Sequence, residues 1–430
     1  DMLFVLRLFL AGLFFILYCK KMGKGNIQAV LGALIYAFCG YAIAAGERHP
    51  YFLNAMIYLP LLLIGVETIL KKKKSYLFTI MIFISFVSNF YFFYMLTIIV
   101  FIYALIRFVD IYRKEWVHHI FSVLFRGIIQ YALGVALASI ALFPIVDAYK
   151  NNSRGTVAAF TASWHYERKY YVRLIYAFFN PPHDLDSAFV FLSYASIAFF
   201  VIMAFVFYKK IYKKHISLFV TFLFASAMLL IPVAGYMMNA MSYVTNRWIF
   251  GYSFLIAFIV VCIIDEVLEL SFKQFIPMIV IAVLVCVGYM IYEPVKELFP
   301  WQSLCIMVGT LAVLCILTKI SNQWLKYALI FATVIISMGY NGFYKNSDSG
   351  YNYSDEFRST EDIVSKIDHA SESHINTTED KSFYRIGSIG DNAENQALIL
   401  QYNGTASYYS LVGGKMFEYL KELEIPSIQN

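Results

Sequence analysis

Tyr76 to Val109 reads YLFTIMIFISFVSNFYFFYMLTIIVFIYALIRFV, and no charged residue interrupts it before Arg107. Lys71, Lys72, Lys73 and Lys74 precede it, and Arg113 and Lys114 follow. A bilayer core takes about 20 helical residues, so this run is too long for one crossing. Basic residues mark the cytoplasmic side, and here they stand at both ends. The run is therefore a tight hairpin of two short or tilted helices, broken near Ser88-Asn89.

The same pattern extends in both directions. Upstream, Leu3–Cys19 ends at Lys20, Lys21 and Lys24, Ile27–Ala45 leads into Glu47-Arg48-His49-Pro50, and Asn54–Leu70 meets the lysine run. Downstream, Trp116–Arg126 reads as a cytoplasmic amphipathic stretch that includes His118-His119, and Gly127–Ala148 crosses outward. Ala188–Tyr208, Ile216–Val233, Trp248–Ile264, Ile276–Tyr292, Ser303–Thr318 and Tyr327–Phe343 then alternate. The expected architecture is an all-α polytopic transmembrane helical bundle of about 12 spans over residues 1–343. Its outer loop, 149–187, holds an interfacial helix within Thr156–Phe179.

Composition agrees with a lipid-embedded chain: 60% of the 430 residues are hydrophobic and 14% are charged. The formal charge of +6 is uneven, because residues 344–430 hold seven Lys/Arg against fourteen Asp/Glu. The basic excess lies in short clusters between apolar runs, so it orients the chain in a membrane and argues against nucleic acid. The acidic segment 344–430 reads as the start of an extracytoplasmic α+β domain. Strands are expected at Phe383–Ile386 and Ala397–Tyr402, and a helix at Lys415–Glu424. All six cysteines lie in or beside apolar runs and read as buried thiols. The sequence opens at Asp1 directly on a full-length span, as expected of a fragment lacking its natural start.

No P-loop, dinucleotide fingerprint, HExxH or GxSxG motif is present. The informative polar residues gather at the outer rim. Arg247, in Asn246-Arg247-Trp248, begins a span on the outer side, against the positive-inside bias. It reads equally as a guanidinium gripping a phosphate and as a snorkelling anchor. Arg48 and His49 stand at another outer boundary beside Glu47, a set suited to proton abstraction or to a plain polar cap. Asp184 follows the Asn180-Pro181-Pro182-His183 break and faces a cavity on the functional reading. Asn89 satisfies backbone groups at the hairpin bend, or opens a sugar-stacking platform with Tyr91 and Tyr94. No metal site is expected.

Several of these stretches resemble the bacterial YfhO membrane proteins. They are Leu34-Ile35-Tyr36-Ala37-Phe38-Cys39-Gly40-Tyr41, His49-Pro50-Tyr51-Phe52-Leu53-Asn54 and Leu59-Pro60-Leu61-Leu62-Leu63-Ile64-Gly65. Ser88-Asn89-Phe90-Tyr91-Phe92-Phe93-Tyr94, Asn246-Arg247-Trp248, Phe383-Tyr384-Arg385-Ile386 and Tyr402-Asn403-Gly404-Thr405-Ala406-Ser407-Tyr408-Tyr409-Ser410 extend the likeness along the chain. The resemblance implies a GT-C type glycosyltransferase in the bacterial plasma membrane. Such an enzyme takes a sugar from a polyprenyl-phosphate donor on the outer side, with a wall polymer such as lipoteichoic acid as acceptor. No cofactor is expected, with a divalent metal left open, and His49, Asn89 and Arg247 carry over from the resemblance as site candidates. The catalytic acidic residue of such enzymes lies between their first two spans, which puts it before residue 1. A transporter or flippase of the lipid-linked sugar, or a non-catalytic scaffold for wall-polymer assembly, are the alternatives.

Overall fold

A computed structural model describes residues 2–46, 49–150 and 163–347, together with Glu422. Among the described residues all regular secondary structure is helical, and there are no strands. Each of the eleven apolar runs contains helix, but the helices are unequal. Seven are long and apolar enough to cross a membrane: Met2–Lys21, Pro50–Leu70, Phe90–Tyr112, Trp116–Leu137, Ile249–Leu268, Phe272–Ile291 and Gln323–Tyr344. An eighth is reached if Ile216–Leu230 and Pro232–Met238, bent by 97°, count as one span. Asn26–Ala37, Tyr76–Ser88, Ser196–Phe207 and Gln302–Leu317 are apolar but shorter. The chain is a helical membrane protein, and the described helices do not by length alone supply twelve crossings.

The chain divides into two units, Asp1–Ala138 with Ala158–Ser347, and Ser139–Val157 with Asp348–Asn430. In the second, the described parts are the Ser139–Lys150 helix, with Pro144 inside it, and Glu422. The strands expected at Phe383–Ile386 and Ala397–Tyr402 lie outside the described residues, as does the Lys415–Glu424 helix apart from Glu422.

Within the first unit, the Ile249–Leu268 and Leu53–Leu70 helices are apolar along most of their length and bury most of their side chains. A helix without a polar face belongs in a core, and these two form it. By contrast, the Met2–Lys21 and Trp116–Leu137 helices turn Phe9, Phe121, Phe125 and Ile128 outward, as a lipid-facing surface requires. At the lysine-bearing end, side chains tie the helices together. Glu67, 3% exposed, accepts from Arg107 Nε at 2.7 Å and from Tyr103 Oη at 2.7 Å. Gln28 Nε2 donates to Asp265 at 2.8 Å and to Tyr327 Oη at 2.8 Å. Lys214 Nζ meets Glu266 at 2.6 Å, and that carboxylate pushes the Lys214 ammonium above its ordinary range.

Three departures from the sequence reading matter. The hairpin does break at Asn89, with helices over Tyr76–Ser88 and Phe90–Tyr112. But Trp116–Arg126 is not a separate amphipathic stretch; it opens the single Trp116–Leu137 helix. His119 there lies 2.9 Å from Lys72 Nζ, so it closes a turn contact. The run Ala188–Tyr208 is helical only from Ser196 to Phe207. Its first part is buried non-helical backbone whose polar groups find partners elsewhere: Ser193 N donates to Ala177 O at 2.8 Å and Tyr194 N to Phe178 O at 2.7 Å. Such backbone is tolerated at membrane depth only inside protein. Gly40 permits the approach, since a Cβ there would meet Leu192 O at 2.7 Å. In the 149–187 loop, the helix covers Arg168–Ala177, and residues 163–167 are not helical.

Candidate functional site

The end of the first unit opposite the lysine turns is built from aromatic rings. Pro50 opens a short 3-10 turn over Pro50–Phe52, whose fixed backbone suits that first position. It points Phe52 inward, to a ring distance of 4.7 Å from Phe92 and 6.0 Å from Phe189. Tyr41, at the start of a π-helical turn over Tyr41–Ala45, adds ring contacts to Phe189 and Phe250. π-Helical turns are uncommon and recur beside functional sites.

Arg247 enters this cluster from the start of the Ile249–Leu268 helix. Its Cζ lies 5.2 Å from the Phe189 ring centroid and 5.6 Å from those of Phe52 and Tyr91. Cation–π contact of this kind is worth roughly 0.5–2 kcal/mol, more as water is excluded. Among the described residues no carboxylate comes within 4.0 Å of the guanidinium. Its Nε is buried and makes no hydrogen bond there. The Tyr91 hydroxyl donates to Asn239 Oδ1 at 2.6 Å, and its phenol oxygen interacts with the guanidinium.

The backbone before Arg247 is pinned. Asn246 donates to Ala188 O from both its backbone N–H, at 2.8 Å, and its Nδ2, at 3.1 Å. Its Nδ2 also reaches Tyr166 Oη at 3.0 Å, and its Oδ1 accepts from Trp248 Nε1 at 3.1 Å. Burial raises the Tyr166 phenol above its ordinary value, which keeps it neutral.

Four of the five candidate residues converge on these rings, in different roles. His49 lies 4.8 Å from the Phe52 ring, at the edge of the cage. Asn89 caps the Phe90–Tyr112 helix, its Oδ1 accepting from Phe92 N at 3.1 Å, and so positions a cage neighbour. Asp184 uses its Oδ1 on the backbone of Phe189, at 2.7 Å, and of Val190, at 3.3 Å. Asn89 and Asp184 thus serve the scaffold, and Arg247 has its Nε without a partner among the described residues. Arg48 lies outside the described residues, as does Glu47. Among the described residues no group of three His, Cys, Asp or Glu could hold a metal ion.

Sequence reasoning missed Phe189 and Asp186. Both sat at the edge of an apolar run read as a span. Asp186 binds Arg173 Nη1 at 3.0 Å and fixes the loop that carries Phe189.

Below the cage an apolar cavity of ≈170 Å³ follows the Ile249–Leu268 helix. Trp248 and Met238 stand at its cage end, and Tyr18, Tyr103 and Arg107 at the other. Trp248 to Phe258 spans about 15 Å of helix. Gly251 lies on the wall, where a Cβ would come within 2.8 Å of Ile99 Cδ1.

Residues 2–430 match the family described as bacterial membrane protein YfhO. The chain belongs to the YfhO family. It is similar to the uncharacterized protein YfhO of Bacillus subtilis (strain 168), with 21% identity over 415 residues. That alignment takes in 92% of this chain but 45% of the relative, so the chain spans about half the length of the curated relative it matches. No solved structure matches it.

Proposed function

We propose that the chain is the membrane part of a GT-C type glycosyltransferase that holds a polyprenyl-phosphate-linked sugar at its outer face. The observation that carries this is Arg247: a caged guanidinium without a carboxylate among the described residues, one residue before Trp248, which lines an apolar cavity. An arginine fork suits a phosphate bidentately, and the cavity suits the first stretch of a lipid chain. His49, 4.8 Å from the Phe52 ring, is then a candidate to contact the sugar.

In this reading the chain crosses the bacterial plasma membrane twelve times. The lysine turns lie inside, and the cage and residues 344–430 lie outside, where the wall-polymer acceptor is found. No cofactor is required of these residues.

The test is to delete the native gene, complement with variants and measure glycosylation of the wall polymer. Arg247→Ala should lose two to three orders of magnitude in rate, the typical cost of one such donor. Arg247→Lys keeps the charge without the fork and should be partly active. Normal glycosylation by well-expressed Arg247→Ala would reduce the residue to an interfacial anchor.

One observation favours a second reading, a transporter of the lipid-linked sugar: the 97° break after Leu230, since broken helices line transport sites. Purified chain in liposomes that moves the lipid-linked sugar between leaflets, with no transfer to acceptor, would decide for it.

A further inference from the structure

A second arginine in the first unit stands apart from the cage. Arg7 lies on the Met2–Lys21 helix, about 7.5 Å beyond its first residue by helical rise. A charge within a spanning helix is costly, and such residues face a partner or mark a site. The Arg7 Nε donates to Asn54 Oδ1 at 3.0 Å. Among the described residues its two terminal nitrogens have no hydrogen-bond partner, and no carboxylate stands within 4.0 Å.

Three polar side chains share this ledge. Asn54 Nδ2 donates to Ser88 Oγ at 3.2 Å, and Tyr58 Oη donates to the same oxygen at 3.1 Å. Ser88 Oγ thus accepts twice, which leaves its own proton free to be given to an incoming acceptor. The surroundings are lipid-facing: Leu3 and Leu6 beside Arg7, and Val87 and Phe90 beside Ser88, are all more than 40% exposed. Asn54 follows Phe52 by two residues on the first turn of one helix, yet Phe52 is buried in the cage while Asn54 meets Arg7. The two arginines therefore lie on opposite sides of that turn.

We infer that Arg7, with Asn54, Tyr58 and Ser88, binds the phosphate of an anionic membrane lipid, at a site separate from the Arg247 cage. The guanidinium and the Ser88 hydroxyl supply the donors, and the exposed leucines, Val87 and Phe90 flank the lipid's chains. The inference does not depend on glycosyl transfer: a lipid bound here serves a transporter or scaffold equally.

The experiment is native mass spectrometry of the full chain released from micelles containing phosphatidylglycerol. The wild type should retain the lipid, and Arg7→Gln should retain about tenfold less, the worth of a charge-assisted hydrogen bond. Arg7→Lys should fall between them. Ser88→Ala, at an exposed position, should lower retention severalfold and tests the site even where Arg7→Gln does not fold. Lys296→Gln, at an exposed cation paired with Glu293, should retain the lipid like the wild type, and millimolar inorganic phosphate should not displace it. Wild-type retention by both Arg7→Gln and Ser88→Ala would overturn the site. Equal loss in Lys296→Gln would make retention a matter of net charge, and displacement by phosphate would make it a free-anion site; either result overturns the inference as stated.

Discussion

The carboxylate of Asp184 accepts a hydrogen bond from the backbone N–H of Phe189 at 2.7 Å, across five residues of turn. Phe189 has φ +58°, in the left-handed region that bulky residues avoid. Its ring is also the nearest of the three walls around Arg247. A residue held in an unfavourable backbone conformation costs on the order of 1–3 kcal/mol and persists only where its surroundings impose it. Asp184 does the imposing. Asp184→Ala should therefore weaken the Arg247 site without touching it, lowering glycosylation at least tenfold while the protein stays folded. Asp184→Asn, which keeps an acceptor oxygen, should be milder. Equal, full activity in both would show that Phe189 holds itself.

Asn89 makes the opposite prediction. Its side chain caps a helix, and losing such a cap costs about 1 kcal/mol. Asn89→Ala should lower the unfolding temperature of the detergent-solubilised protein, with most activity kept, and Asn89→Asp should restore it. An inactive Asn89→Ala of unchanged stability would return the residue to the list of ligand contacts.

The Glu67–Arg107 pair is buried on the carboxylate side. Removing Arg107 leaves the buried Glu67 carboxylate with the Tyr103 hydroxyl alone, at a cost of about 3–5 kcal/mol, whereas removing Glu67 leaves Arg107 paired with Asp110. Arg107→Met should expose this as poor recovery or early thermal aggregation, and Arg107→Met with Glu67→Ala should recover part of the loss. A single variant as stable as wild type would mean that water reaches the pair.

Orientation is open to direct labelling. Cysteines introduced at Lys73 and Lys213 should react with an impermeant reagent only from the cytoplasm, and those at Trp164 and Tyr243 only from outside. Reaction of Lys73 and Trp164 from one side would break the proposed crossing pattern.

The cavity wall gives a fifth test. Gly251→Ala presses a flexible Ile99 tip and should be tolerated, whereas Gly251→Leu fills the passage. The expected result for Gly251→Leu is normal expression with a raised KM for the lipid-linked donor. An unchanged KM would remove the chain from that cavity.

Much of the fold was legible because lipid imposes simple rules. Lysine runs and helix-length apolar stretches located the helices, and Asn89 marked the hairpin break. What escaped has a common cause: apolar sequence does not distinguish a span from buried coil. Val190, Leu192 and Tyr194 are as apolar as any helix, but their backbone groups bond to Asp184 Oδ1, Gly40 N and Phe178 O. Trp116–Arg126 misled in the other direction, because its histidines and arginine made a helix start look like a surface stretch. At the site, Arg247 was found by its position against the charge bias. Its cage was not, since Phe52, Tyr91 and Phe189 come from three distant segments. Arg7 was passed over inside a run read as wholly apolar.

The bend after Leu230 has a consequence for the surrounding bilayer. Ile216–Leu230 alone rises about 22 Å, short of the roughly 30 Å hydrocarbon thickness. Pro232–Met238, turned by 97°, adds almost nothing along the same direction. A bilayer meets such a short span by thinning beside it, unless flanking residues snorkel or copies associate. Tyr94 holds the bent segment through Met237 O, and Tyr91 holds Asn239, which puts a thinned patch next to Arg247. A headgroup there is lowered toward the guanidinium by the shape of the membrane itself, before any specific contact forms.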